Sequence, residues 1–241
     1  MITSAANPRL KLVRKLAARR QRDKLGLFAC EGEDLVVAAL DTGLEPVEVL
    51  VDAERPVFAD RLPRAELVAP ELMGDLSSLA HPARVIAVFR RADLRSTVDS
   101  PTGLALWHVG DPGNVGTIIR TADALGPAFV ALSAGCAEPT GPKALRASMG
   151  SVFRVPLVRF DEAPRPWVGL VPRGGRPLSE LAFAESVTVT FVLGAEREGL
   201  PPEIVAQCDE VVTIPSSQHA ESLNVAVAGA IALYELHRRR P

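Results

Sequence analysis

From Leu104 onward the chain repeats one unit: a short, nearly continuous apolar run, a turn rich in glycine and polar residues, then a helix. Leu104–Val109, Ala128–Leu132, Val152–Val158, Val168–Val171, Val187–Leu193 and Glu210–Ile214 read as strands. Thr117–Leu125, Pro142–Met149, Pro202–Gln207 and Leu223–Arg238 read as helices. Strands that are apolar on both faces and alternate with helices predict an α/β fold with a mostly parallel, doubly covered sheet. The Pro- and Arg-rich stretch 161–180 reads as a surface excursion.

The preceding part has its own pattern. A helix is expected from Asn7 or Pro8 to about Lys24, a strand at Leu27–Cys30, and a helix at Glu33–Asp41 stopped by Gly43. Val47–Val51 and Val85–Phe89 read as strands and Glu71–Leu79 as a helix. Residues 92–103 are polar, aperiodic and carry Pro and Gly. They divide the chain into an expected domain at 1–95, a linker at 96–103 and a second domain at 104–241.

Composition narrows the class. Hydrophobic residues make up 47% of the 241 and charged residues 23%, enough for a core without disulfides or metals. Three scattered cysteines, with no CxxC pair, predict free thiols and no metal site. Charge begins at Arg9 and no run of about 18 apolar residues follows, so neither a leader peptide nor a membrane span is expected. The expectation is a cytoplasmic protein.

The net charge of −2 hides an uneven distribution. Arg9, Lys11, Arg14, Lys15, Arg19, Arg20, Arg22 and Lys24 face a single acid, Asp23, and Arg238–Arg240 form a second cluster. Such runs contact phosphates or simply solvate a helix face. Aromatic residues there are few (Phe28, Phe58, Phe89), so no platform for stacking bases is evident.

Three segments at expected strand ends, where ligands of open α/β sheets bind, carry chemistry. In Gly110-Asp-Pro-Gly-Asn-Val-Gly116, the glycines permit tight turns and close approach to a ligand. Asn114 follows near the helix start. Arg120 lies in an apolar helix and needs an anion, either a substrate or a structural partner such as Asp123 or Glu196. The GxxGxxG spacing, and the missing acid after Ala128–Leu132, argue against a dinucleotide site. Next, Leu193-Gly-Ala-Glu196 ends a strand, with Glu196 and Glu198 available for acid–base work or for pairing with Arg197 or Arg120. Last, Ile214-Pro215 and Ser222-Leu-Asn224 flank a polar loop containing His219, which reads as surface. Ser222 suits an N-cap, whereas Asn224 is a poor helix former inside a first turn.

Together these segments resemble the SpoU/TrmH family of RNA ribose 2′-O-methyltransferases, within the SPOUT superfamily. Asn114…Arg120, Leu193-Gly-Ala-Glu196 with Gly199-Leu, and Ile214-Pro…Ser222-Leu-Asn224 occur in the family's order. The stretch Gly135–Pro156, with Pro142-Lys143 and Arg146-Ala-Ser-Met-Gly150, is similar too, so the likeness covers most of residues 104–236. Ile2-Thr-Ser…Asn7-Pro8, the basic helix and Leu27-Phe-Ala-Cys-Glu31-Gly32-Glu33 look like the family's L30e-like α/β substrate-binding domain. Pro82-Ala-Arg departs from the family's usual Pro-Gln-Gly.

The resemblance implies a trefoil knot in the C-terminal domain and a homodimer formed through it. It implies S-adenosylmethionine held by Leu193, Gly194, Ile214 and Leu223. Family reasoning assigns Arg120 the role of base. A guanidinium keeps its proton in proteins, so Arg120 is expected instead as a fixed cation, with Asn114, Ser222 and Asn224 orienting the ribose and Glu196 holding Arg120. Arg9, Arg14, Lys15, Arg19 and Arg20 would recruit RNA, ribosomal in preference to transfer RNA. Two rival readings are a non-catalytic RNA-binding protein on this fold and a nucleotide-dependent oxidoreductase.

Overall fold

The computed structural model describes residues 1–56, 62, 64–181, 188–217 and 222–239. Phe58, Val187, His219 and Arg240, named above, lie outside them.

Helix α1 (Pro8–Leu16) starts where the sequence places it: Pro8 takes the first turn and the Asn7 side chain accepts the Arg9 N–H at 2.9 Å. It buries Leu10, Val13 and Leu16, one face at helical spacing. The expected single helix to Lys24 is in fact two, because the chain turns at Ala17–Ala18 and α2 (Arg19–Leu25) begins anew. Arg22 explains the break. It folds inward, and its Nη1 donates to the carbonyls of Leu16 (2.7 Å) and Ala17 (2.8 Å), acceptors a continuing helix would have used.

Strands β1 (Leu27–Glu31), β2 (Glu48–Asp52), β3 (Glu66–Val68) and β4 (Val85–Arg90) form a four-stranded sheet in the order β1-β4-β2-β3. Only β2–β3 is parallel. Helices α3 (Glu33–Asp41) and α4 (Pro70–Leu76) accompany it.

The second sheet contains β5 (Thr102–Leu106), β6 (Phe129–Leu132), β7 (Leu157–Arg159), β8 (Trp167–Leu170), β9 (Arg176–Pro177), β10 (Val189–Leu193) and β11 (Glu210–Thr213). Its order is β7-β6-β5-β10-β8-β11-β9, and every pairing is parallel. The helices of this half are α5 (Pro112–Ala124), α6 (Pro142–Ser148), α7 (Pro202–Val205) and α8 (Val225–Arg239).

Three expectations need correction. Residues 161–180 are not a surface excursion: they supply β8, in the sheet interior, and β9. Val152–Val158 is not one strand: Ser151–Phe153 forms a short helical turn that drives Val152, Phe153 and Val155 into the core, and only Leu157–Arg159 pairs. Helix α5 begins five residues before Thr117. Asp111 is its cap, accepting the Asn114 N–H at 2.9 Å, and Pro112 opens the first turn.

The two sheets share a core. Phe153 packs 6.4 Å from both Phe28 and Phe89, ring centroid to centroid. Beside this aromatic cluster, Arg22 Nη2 meets Glu138 Oε2 at 2.6 Å, with both side chains less than 10% exposed. Arg91 reaches the same carboxylate. Burial lowers the Arg22 pKa; a guanidinium nevertheless keeps its proton in proteins, so the pair is ionic.

Candidate active site

The carboxyl ends of β5 and β10 and the start of α8 bring the three polar segments together. The Asn224 Oδ1 accepts from the backbone N–H groups of Ala226 (2.9 Å) and Val227 (3.3 Å), which makes Asn224, not Ser222, the cap of α8. That leaves its Nδ2 to donate, and it does so to Asn114 Oδ1 at 3.1 Å. Asn114 Nδ2 must then donate as well, and it reaches Glu196 Oε1 at 2.9 Å. The direction of the whole chain is fixed by the helix at its end.

Partial burial pushes the Glu196 carboxyl upward. Hydrogen bonds from the Asn114 side chain and from backbone N–H groups, including Asp111, outweigh it and hold the group below the usual glutamate value. Asp111 is held low chiefly by Lys143, whose Nζ lies 2.8 Å from Oδ2, and then by the Asn114 N–H.

Arg120 stands apart from this network. It is exposed, and no carboxylate pairs with it among the described residues. Of its two expected structural partners, Asp123 is taken by Arg154 at 2.5 Å and Glu196 by Asn114. The expectation that Glu196 holds Arg120 is therefore corrected: the carboxylate holds the asparagine.

Two glycines have structural explanations. A side chain on Gly116 would sit 2.4 Å from the Ala144 carbonyl oxygen, so this glycine allows α5 and α6 to touch. One on Gly194 would sit 2.1 Å from the Gly199 carbonyl carbon, where the loop after β10 folds back on itself. Neither is needed for a positive φ.

Beside the network lies a cavity of about 660 Å³. Leu193, Gly194, Ile214 and Leu223, the four residues expected to hold a methyl donor, line it together with Glu196 and Ser222. Leu170, Val171 and Pro172, after β8, form an apolar wall that sequence reasoning did not assign. Asp111 and Lys143 were also missed. The signal for Asp111 was present, because Asp-Pro is a helix-start signature.

The basic face is more selective than its sequence. Arg9 is half-buried and ion-paired with Glu48, at 3.2 Å, and Glu66. Arg14 donates to the Ala5 carbonyl (2.8 Å), and Arg19 lies 3.8 Å from Asp23. Lys15 and Arg20 are exposed and make no ion pair among the described residues.

Comparison with known proteins places these features. Residues 101–234 match the SpoU rRNA Methylase family, and residues 7–87 match an MRM3-like substrate binding domain. A 23S rRNA (guanosine(2553)-2′-O)-methyltransferase of Bacillus subtilis is 32% identical, covering 98% of each chain. The AdoMet-bound rRNA methyltransferase of Sinorhizobium meliloti is 31% identical with a TM-score of 0.84, over 98% of this chain and 97% of that one. The AdoMet complex of the SpoU methyltransferase AviRb from Streptomyces viridochromogenes is 29% identical with a TM-score of 0.86, over 97% of this chain and 98% of that one.

Proposed function

The chain belongs to the SpoU rRNA methylase family, and from that premise we propose that it transfers the methyl group of S-adenosylmethionine to a ribose 2′-hydroxyl of ribosomal RNA. The observation that carries this reading is the hydrogen-bonded chain Glu196–Asn114–Asn224, which joins all three polar segments and meets the cavity at Glu196. The relatives named for 23S rRNA favour ribosomal over transfer RNA.

The cavity fits the donor. Its volume, about 660 Å³, falls in the range of small-molecule sites, and its position at strand ends is where α/β sheets bind ligands. Leu193, Gly194, Ile214 and Leu223 would hold it, with Ser222 at the rim. Bound there, the donor supplies a methyl group already activated on a sulfonium sulfur.

The chain's own residues must orient the ribose oxygen and ease its loss of a proton. Positioning lowers such barriers by roughly 7–11 kcal/mol in favourable cases. Asn114, Asn224 and Glu196 supply it as one locked unit. Arg120 does not serve as a base, because a guanidinium keeps its proton in proteins. Exposed, and with no carboxylate partner among the described residues, it would grip an RNA phosphate and stabilise the developing alkoxide. Arg14, Lys15, Arg19 and Arg20 would draw RNA to the first sheet, whereas Arg9 is engaged structurally.

The division at 1–95, 96–103 and 104–241 is supported by the two sheets and by the two matched regions. A trefoil knot is supported by the strand order around β10, β8 and β11. A homodimer is supported by Val227 (48% exposed) and Tyr234 (56%), seven residues apart on one stripe of α8. Three free thiols favour the cytoplasm.

The decisive test incubates the protein with methyl-labelled donor and deproteinised 23S rRNA, then maps alkali-resistant linkages. Label at one ribose is the expected result. Label on a base, or none, would overturn the reading.

A further inference from the structure

Ion pairing divides the exposed arginines: Arg14, Arg20, Arg64 and Arg197 meet no carboxylate among the described residues. Arg90, Arg95, Arg154, Arg159 and Arg165 each face a carboxylate. On α5 and α6 the outcome differs. Lys143 is held by Asp111, but Arg120 and Arg146 meet no carboxylate among the described residues. Arg146 is exposed and touches only a hydroxyl, Nη1 to Ser78 Oγ at 3.2 Å; that hydroxyl also contacts Glu31 at 3.0 Å.

Its placement links two basic regions. Helix α2, which carries Arg20 and Lys24, abuts the start of α6: Arg22 Nη2 would lie 3.6 Å from a side chain on Gly141, the residue before α6. At the other crossing, Gly116 of α5 packs on Ala144, Ala147 and Ser148, and Arg120 follows Gly116 by one turn on the same side of α5. Arg146 lies between these contacts on the solvent side of α6, a helix only about 10 Å long. Arg146 therefore sits on a helix that contacts α2 at its start and α5 along its length.

From this arrangement we infer that Arg146 binds a backbone phosphate of the RNA substrate and positions the strand between the basic helices and Arg120. The inference rests on the methyltransferase reading above. A guanidinium with no carboxylate partner offers the planar fork that phosphates accept, and among the described residues only Nη1 is engaged, by the Ser78 hydroxyl.

The test uses deproteinised 23S rRNA with the wild-type protein, Arg146→Ala, Arg146→Lys and Arg146→Glu. Arg159→Ala, whose guanidinium already faces Asp161, is the control. Filter binding across salt concentrations should show the slope of log K against log salt shrinking by about 0.7–0.9 in Arg146→Ala, the loss of one phosphate contact. KM for RNA should rise about tenfold, the loss of one charge-assisted hydrogen bond, with kcat and S-adenosylhomocysteine affinity unchanged. Lysine should restore the salt slope, and glutamate should weaken binding further. A wild-type slope and KM in Arg146→Ala would overturn the inference. So would an altered sedimentation coefficient with an unchanged slope, which would give this face to a second copy of the chain. If wild type methylates the RNA and the Arg146 variants match it, only this inference falls; if wild type neither binds nor methylates, the enzyme reading falls with it.

Discussion

The seam between the two sheets and the crevice above β10 are both built from charged and amide groups, and they use them oppositely. At the seam, Arg22 and Glu138 are almost fully buried, and Arg22 satisfies two further carbonyls. In the crevice, Asn114, Asn224 and Glu196 are linked to each other, yet Asn224 and Glu196 are exposed and Asn114 only half-buried. Burial thus turns one set into structure and leaves the other available to a substrate. The seam should govern stability and the crevice activity, each with little effect on the other.

The largest expected effect is at the seam. Glu138→Ala leaves the Arg22 guanidinium buried without its counter-charge, which costs about 3–5 kcal/mol. Denaturant unfolding should register that loss, while donor affinity per folded molecule stays at the wild-type value. A loss below about 1 kcal/mol, typical of surface pairs, would erase the contrast between the regions.

In the crevice, Asn114→Ala removes the central link and leaves Glu196 and Asn224 unconnected. Turnover should fall by about a hundredfold, as misplacement of reacting groups does, with unfolding shifted little. An equal loss of stability would show that the network is structural after all.

Arg120→Lys keeps the charge and removes the fork. The loss of one charge-assisted hydrogen bond, about 1.5–3 kcal/mol, predicts a fall in kcat/KM of roughly tenfold to a hundredfold. Near-normal turnover would reduce Arg120 to a point charge.

The smallest effect concerns pH. Glu196 titrates below its ordinary value in the folded protein, so the order it imposes is fully present above the unfolded value of about 4.3 and fades as pH falls through the folded one. Donor affinity, measured by titration, should be flat from neutrality down to that region and then drop. Glu196→Gln should lack the acid limb.

How far these regions were legible follows from what each depends on. The long strands of the second sheet showed in the sequence because both faces are buried, as at β5 and β10. The short strands β3 and β9, three and two residues, carry no period to read. The start of α5 was mistaken for a turn because its glycines looked like punctuation, whereas Gly116 is a contact surface for α6. Arg22 looked like its basic neighbours because its role depends on Glu138, 116 residues away. The residues lining the cavity came from family resemblance. Their convergence with Asn114 and Asn224 needed coordinates.

The shared amide at residue 224 has a consequence for biogenesis. One side chain both starts the last helix and completes the polar chain that begins at the Glu196 carboxylate. β11 and α8 follow every other strand and helix in chain order, and domains fold largely from the amino end during synthesis. A nascent chain that has passed the loop after β10 already holds Asn114 and Glu196, yet it lacks their third partner. Catalytic competence therefore arrives with the docking of α8, in a single event, rather than growing as the sheet is laid down.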